Sequence, residues 1–280
     1  MKDGKRWLAL GLASMLLPAP MAVMAQGAPF QVDDPETYVI RVEPRAWFVN
    51  DSSLDGTFPF DVIGSPAVAG LDASFDDETR LNPFIELQLG GRHKLRGAFL
   101  ELGQVATLAG DAFDISVNGV PIDQALVPLS EAVGSVDLTI YELGYQYDLF
   151  EGDWGFIGAL IDVAVVDYDL TATASYDSTG DGAVDQQSTK SADGTIAIPQ
   201  VGVAFRVYPS RRVALRAEAK GLTIGPRGTF IQGFGGFELQ LSQQLGIGGG
   251  YQFLRLDIDV SDVDLTYQDH GPYAGTVIRF

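Results

Sequence analysis

The two histidines of the chain are its first candidates for catalysis, because imidazole is the side chain that most often transfers protons near neutral pH. His270 follows Asp269 directly, and an Asp–His pair can make a base that activates water or a serine. Adjacent residues of a strand point to opposite faces, so the two form no dyad if this segment is extended. His93 stands beside a predicted turn. The chain has no cysteine and neither a G-x-S-x-G nor an H-E-x-x-H motif, which leaves His270 as the catalytic candidate.

The stretch DSTGDGAVD, residues 177–185, offers oxygen ligands at regular spacing. It resembles the first nine positions of a calcium loop of the EF-hand or dockerin type. That resemblance implies Ca²⁺ ligation by Asp177, Thr179, Asp181, the Ala183 carbonyl and Asp185. Two positions depart from the pattern, because Thr179 replaces the usual Asp or Asn and Ser188 stands where a bidentate carboxylate is expected. The alternative is an acidic, glycine-rich surface loop.

A third set of reactive side chains is ionic and recurs along the chain. In residues 38–49 Arg41, Glu43 and Arg45 share one face of a period-two pattern, and the other face holds Tyr38, Ile40, Val42, Ala46 and Phe48. Nine further segments repeat this alternation, and the polar faces together carry eight basic and six acidic residues. Unpaired buried charge is costly, so we expect an ion-pair network wherever this face is enclosed. The predicted network consists of Arg41, Glu43, Arg45, Glu86, Lys94, Arg96, Glu142, Asp162, Arg206, Arg216, Glu218, Lys220, Glu238 and Arg279.

Ten period-two segments must position this network. We predict tight turns near residues 90–92, 150–153, 208–211 and 242–244, and connections at 50–79, 103–134, 168–194, 223–227 and 261–269. Short and long linkers alternate, as in an up-and-down barrel with short turns at one end and longer loops at the other. The prediction is an all-β, transmembrane, antiparallel barrel of ten strands, with eight as the alternative and both termini at the periplasmic end.

The start of the chain predicts export. Lys2, Lys5 and Arg6 precede a short apolar stretch, and a small-residue site before Gln26 follows it, which is typical of a cleaved signal peptide over residues 1–25. Residues 26–37 are then a periplasmic N-terminal segment, and residues 38–280 form one outer membrane barrel. Removing the signal lowers the net charge from −19 to −21, because three basic residues and one acid leave with it. Such acidity argues against nucleic acid as a partner.

The last eight residues, YAGTVIRF, resemble the C-terminal strand of outer membrane proteins of Gram-negative bacteria. The resemblance implies that Ile278 and Phe280 belong to the signal read by the barrel assembly machinery, with Phe280 facing lipid at the periplasmic rim. The overall plan is similar to the small-barrel superfamily around the OmpA transmembrane domain and OmpW. It implies outer membrane lipid and lipopolysaccharide as surroundings, and in that layer divalent cations would bridge loop carboxylates to lipid phosphates.

Three functions remain open at this point. The first is a structural or passive, narrow-pore role in the cell envelope, with a charge-plugged lumen and acidic extracellular loops. A porin-like wide channel is less favoured, because open channels generally need more strands. The second is an enzyme acting on lipid or peptide at the outer rim through His270. The third is a calcium-dependent surface binding protein that uses residues 177–185.

Overall fold

The chain folds as a closed, ten-stranded antiparallel β-barrel in a computed structural model. The structure describes residues 36–62, 65–75, 77–109, 114–117, 120–121, 129–176, 186–223, 228–260 and 263–280. The predicted signal peptide, most of the predicted 26–37 segment and the 177–185 loop lie outside these ranges. Within them there is no helix with the length and apolar character needed to cross a membrane.

The described residues form sixteen strand segments, fourteen of which build the ten barrel strands. The first barrel strand combines β1 (Ile40–Glu43), β2 (Arg45–Val49) and β3 (Asp51–Val62), and the second combines β4 (Ser65–Phe75), β5 (Glu78–Leu81) and β6 (Phe84–Gly90). The third is β7 (His93–Ala109), and β8 (Asp114–Val117) and β9 (Val120–Pro121) form a small hairpin after it. The others are β10 (Leu129–Gly152), β11 (Gly155–Tyr176), β12 (Gln186–Ser210), β13 (Val213–Thr223), β14 (Gly228–Gln240), β15 (Leu245–Val260) and β16 (Val263–Arg279).

The barrel closes between its first and last strands. Arg41 pairs with Arg279 and Val42 with Ile278, and the Phe280 amide donates to the Ile40 carbonyl at 2.9 Å. Higher up, β2 and β3 pair with β16 as well. This continuous ladder confirms the ten-strand prediction and shows that the eight-strand alternative is wrong.

The predicted long connections are largely strand, which corrects the sequence-based interpretation. β10 and β11 stay paired from Gly152 and Gly155 up to Leu129 and Tyr176, and β12 continues the ladder to Gln186. Residues 263–269 belong to β16, and the stretch predicted as a connection at 50–79 contains most of β3 and β4. The sequence pattern does not predict the full length of these hairpins, because the apolar residues change from outward to inward positions halfway along the strands.

This exchange divides the molecule into two parts, which we call the lower and the upper barrel. The lower barrel carries Glu36 and Phe280, the two ends of the described part of the chain. It includes residues 141–149 of β10 and 157–165 of β11, whose outward side chains are Tyr141, Leu143, Tyr145, Tyr147, Leu149, Ile157, Ala159, Ile161, Val163 and Val165. The upper barrel includes residues 129–140 of β10 and 166–176 of β11, whose outward side chains include Ser135, Asp137, Thr139, Asp167, Asp169, Thr171, Thr173 and Ser175.

The interior changes in the opposite sense at the same level. Inward positions of the lower barrel are mostly charged or amide-bearing, whereas those of the upper barrel are apolar and buried. The buried upper set includes Trp47, Val49, Leu54, Leu100, Leu102, Val136, Leu138, Ile140, Val166, Leu170, Phe230, Leu254, Leu256 and Leu265. Each part of the barrel thus has a different core.

Candidate functional site: the charged interior of the lower barrel

Two glutamates organise the middle of the lower barrel. Glu238 on β14 accepts from Arg41 at 2.6 Å, pairs with Arg279 and lies 3.8 Å from Arg216. Glu43 on β1 binds Arg216 at 2.8 Å and the Arg45 Nε at 2.7 Å, and also pairs with Arg41. Each carboxylate therefore meets three guanidinium groups, and opposite charges from five different strand segments lie together away from water.

A second group of ion pairs joins β10, β11 and β13. The Lys220 ammonium lies 2.7 Å from Glu142 and 2.6 Å from Asp162, while Arg96 on β7 pairs with Glu218. Gly144 makes room for this arrangement, because a Cβ at that position would lie 1.9 Å from an Asp162 carboxylate oxygen. Glycine on the inner face thus allows a charged side chain of the neighbouring strand to lie flat against the wall.

A third group lies at the end of the barrel that carries the chain ends. Lys94 binds Asp148 at 2.9 Å and Glu36 at 3.1 Å, and Arg206 binds Glu36 at 2.7 Å. The predicted network did not include the two acids of this group. Asp148 extends the alternation of Glu142 and Gln146 to the end of β10, a signal that was present in the sequence. Glu36 precedes the first strand, where alternation gives no information.

Every residue of the predicted network takes part in at least one ion pair. Thirteen of the fourteen are buried, and Glu142 is partly buried. With Glu36 and Asp148 included, this interior set holds eight basic and eight acidic groups, so its formal charge is zero. Tyr38 is also inside, where its hydroxyl donates to Glu86, although its position in the sequence pattern predicted the outer face. That prediction was wrong because Tyr38 lies before β1 and outside the pleat.

Aromatic rings separate the cations of the interior. The Arg45 guanidinium lies 4.7 Å from the Phe84 ring, 5.2 Å from Phe234 and 5.6 Å from Tyr273. The Lys94 ammonium lies 3.9 Å from the centre of the Phe156 ring. Such cation–π contacts are favourable where water is excluded, and here they hold charged groups apart as well as in place.

The second group of ion pairs borders a small cavity. A cavity of about 40 Å³ is lined by residues including Arg96, Glu218, Lys220 and Gln232. Two nitrogens of Arg96 have no hydrogen-bond partner within the described part of the chain. A water needs roughly 10–15 Å³ measured this way, so the cavity is sized for a few ordered waters beside these donors and not for a solute path.

A separate ion pair lies within the upper barrel. Arg80 on β5 pairs with Asp269 on β16, and the Tyr267 hydroxyl donates to the same carboxylate at 2.7 Å. All three side chains are buried. The sequence-based interpretation missed this pair because Asp269 fell within a predicted connection and Arg80 directly followed another.

Asp269 and His270 lie on opposite faces of β16. Asp269 points inward, while His270 faces outward with its Nδ1 2.7 Å from the Tyr251 hydroxyl. His93 is also outward, in contact with Tyr145 and Tyr147. The described residues contain no group of three or more His, Cys, Asp or Glu side chains that could hold a metal ion. The predicted calcium ligands are not among them.

Ile278 and Phe280 lie on the outer face of the last strand, at the end that carries both termini. Ile278 pairs with Val42 on one side and Leu245 on the other, and Phe280 is 37% exposed. Both residues lie beside the closing seam. Their role in assembly stays a prediction.

Known proteins resemble this chain in fold, at low sequence identity. Outer membrane protease OmpT from Escherichia coli aligns with a TM-score of 0.54 at 10% identity, covering 91% of this chain and 99% of that one. The translocator domain of the autotransporter NalP from Neisseria meningitidis gives 0.43 at 15% identity, covering 98% and 97%. The attachment invasion locus protein Ail of Yersinia pestis gives 0.32 at 8% identity, covering 87% and 100%. No protein-family model and no curated protein sequence matches the chain. The likeness to OmpT shows the fold alone, that of an outer membrane β-barrel.

Proposed function

We propose that this protein is an outer membrane β-barrel with a closed lumen, which serves as a structural, surface-exposed component of the cell envelope rather than as an open conduit. The observation that carries the proposal is the filled interior. Below, eight basic and eight acidic groups neutralise one another; above, apolar side chains occupy the same passage.

The outer surface of the lower barrel supports its placement in the membrane. Residues 141–149 and 157–165 are nine-residue stretches with apolar or aromatic side chains at every outward position. A transmembrane β-strand needs about 9–11 residues, so each stretch matches the hydrocarbon thickness. Tyr145 and Tyr147 lie toward the end with the termini, where amphipathic rings favour the membrane interface.

The upper barrel then stands outside the membrane. Its portion of β11, residues 166–176, corresponds to roughly 36 Å of extended chain, since a strand rises about 3.3 Å per residue. Exposed acids on this surface include Asp55, Glu101, Asp137, Asp169 and Asp193. Divalent cations bridging such carboxylates to lipopolysaccharide phosphates would fix the protein in the outer leaflet. This picture agrees with the small-barrel superfamily around OmpA and OmpW and with assembly through Ile278 and Phe280.

Planar-bilayer recording tests the closed lumen directly. We expect the purified, folded protein to insert without producing a steady, large conductance, because no ion can pass both the neutral lower interior and the apolar upper interior. Insertion is verified in parallel by protease protection of reconstituted vesicles. A stable open level in most insertions would show that the barrel is a pore and would overturn the proposal.

A further inference from the structure

One interior carboxylate does not come from the barrel wall. Glu36 precedes β1, yet its side chain enters the end of the barrel near the termini. There it accepts from Arg206 at 2.7 Å, from Lys94 at 3.1 Å and from the Tyr208 hydroxyl. The groups that hold it belong to β7 and β12, far from it in sequence.

These three groups form a pocket shaped for a carboxylate. Lys94 and Arg206 are buried, and both cations lie against the face of the Phe156 ring. Two cationic donors and a phenol hydroxyl directed at one point can satisfy both oxygens of a carboxylate with charge-assisted hydrogen bonds. Within the described part of the chain, Glu36 is the only ion-pair partner of Arg206.

Glu36 also completes the charge balance of the lower barrel. Without it the interior set carries one uncompensated positive charge, which is unfavourable in a site shielded from water. Burial by itself would raise the pKa of Glu36, but Arg206, Lys94 and the Tyr208 hydrogen bond hold that pKa well below the usual range. The carboxylate therefore remains ionised, and its contribution to stability is present above the ordinary glutamate pKa. That contribution is lost only as the pH falls through the lowered value.

We propose that Lys94, Arg206 and Tyr208 form a carboxylate-binding site at the periplasmic mouth of the barrel, and that Glu36 is its built-in, replaceable ligand. The chain is thereby fastened to the mouth at Glu36, and a small carboxylate takes the position of Glu36 when that side chain is removed. The inference rests on the proposed function for its orientation in the membrane, not for the existence of the site.

Chemical rescue tests the site. Glu36→Ala is refolded in detergent and its urea unfolding midpoint is measured in sodium formate or sodium chloride at equal ionic strength. We expect a lowered midpoint in chloride and a saturable rise in formate that recovers half or more of the loss. Glu151→Ala is the matched control, because it removes a carboxylate that faces Arg92 on the exposed surface at the same end. Its midpoint should respond to formate no more than that of the wild type.

A double-mutant cycle covers the case in which Glu36→Ala does not fold. Glu36→Gln and Arg206→Gln each remove one charge, and the double variant removes both. We expect the double variant to lose less stability than the sum of the two single losses, because it restores neutrality. Additive effects, or a Glu36→Ala midpoint that formate leaves unchanged, would overturn the proposed site.

These measurements separate this proposal from the closed-lumen proposal, because neither of them depends on conductance. A wild-type protein that conducts, together with a formate-dependent Glu36→Ala variant, would reject the closed barrel and retain the site. A wild-type protein that does not conduct, together with a formate-insensitive Glu36→Ala variant, would reject the site and retain the closed barrel.

Discussion

The lower and the upper barrel are built from the same strands but have opposite distributions of polarity. The lower barrel is apolar outside and charged inside, and the upper barrel is polar outside and apolar inside. In β11 the outward residues change from Ile161 and Val163 to Asp169 and Thr171, while the inward residues change from Asp162 to Val166. Period-two alternation is identical in both parts, because it reflects the pleat and not the surroundings. The difference teaches that alternation identifies a strand, whereas the identity of the outward residues identifies the solvent that the strand faces.

The two interiors also hold their walls together differently. A fully paired ionic core contributes little net stability, since desolvation offsets much of the attraction, but removing one partner is severe because it leaves a buried charge alone. An apolar core loses stability in proportion to the contacts and volume removed. Substitutions can therefore measure whether the two parts really differ as their compositions suggest.

The largest loss in the free energy of unfolding is expected from a substitution of Glu238, which lies beside Arg41, Arg279 and Arg216. Glu238→Ala removes the only acid that pairs with Arg279 among the described residues, and loss of one partner of a buried ion pair costs about 3–5 kcal/mol. Arg41 and Arg216 lose one acid but keep Glu43. Urea unfolding of the refolded protein measures it, with Glu151→Ala as the exposed control. A wild-type midpoint would mean that water reaches these arginines and that the lower interior is open.

The second-largest loss of stability is expected from a substitution in the apolar core of the upper barrel. Leu138 is fully buried there, and Leu138→Ala should cost about 2–5 kcal/mol through lost contacts and a cavity. Leu143 lies on the outer face of the same strand and is 69% exposed to the surroundings of the barrel. Leu143→Ala removes the same atoms without making an internal cavity, so its effect on the free energy of unfolding should be smaller. Equal losses would contradict a packed upper core.

Arginine substitutions at two positions along β11 can locate the boundary between the lower and the upper barrel. Ile161→Arg puts a charge on the outer face of the lower barrel, where a lipid-exposed arginine near the bilayer midplane costs about 2–4 kcal/mol. Thr171→Arg puts it on the upper barrel and should change stability by less than about 0.5 kcal/mol, as for an ordinary surface substitution. Unfolding from lipid vesicles compares the two. Similar values would place residues 161 and 171 in the same solvent.

The smallest effect is expected at Gly144. An alanine Cβ would collide with Asp162, which must then move away from Lys220. Overpacking of this kind costs about 1–3 kcal/mol. In an Asp162→Ser background, Gly144→Ala should lower the free energy of unfolding by less than it does in the wild type, because the shorter side chain leaves space for the methyl group. If the loss is the same in both backgrounds, the close approach of these two residues is not what makes glycine necessary.

Much of the lower barrel could be predicted from the sequence, because charged residues at alternate positions between apolar ones have few other interpretations. Arg41, Glu43 and Arg45 identified the inner face of the first strand in this way. The sequence pattern does not identify Leu138 and Val166 as interior residues, because both lie just beyond the segments with outward apolar side chains. Their neighbours Asp137 and Asp167 indicate the correct orientation, because an outward acid places the adjacent residue on the inner face.

The partners within the interior could not be predicted. Pairing of Arg41 with Glu238 depends on the curvature and register of a closed wall, and 197 residues separate the two. Glu36 and Tyr38 lie before the first strand, so no periodicity assigns them a direction. Arg80 and Asp269 required knowledge that β5 and β16 flank the same part of the first strand. In each case the missing information is three-dimensional and not compositional.

The seam between Ile40 and Phe280 sets an order in time. Its two edges belong to β1 and β16, the first and last strand segments of the described chain, so neither edge has its partner until both strands are in place. Until that moment the arginines at positions 41 and 279 have no common enclosure. Pairing of neighbouring strands and enclosure of the ionic interior are therefore separate events, and an unclosed sheet offers two edges to other chains.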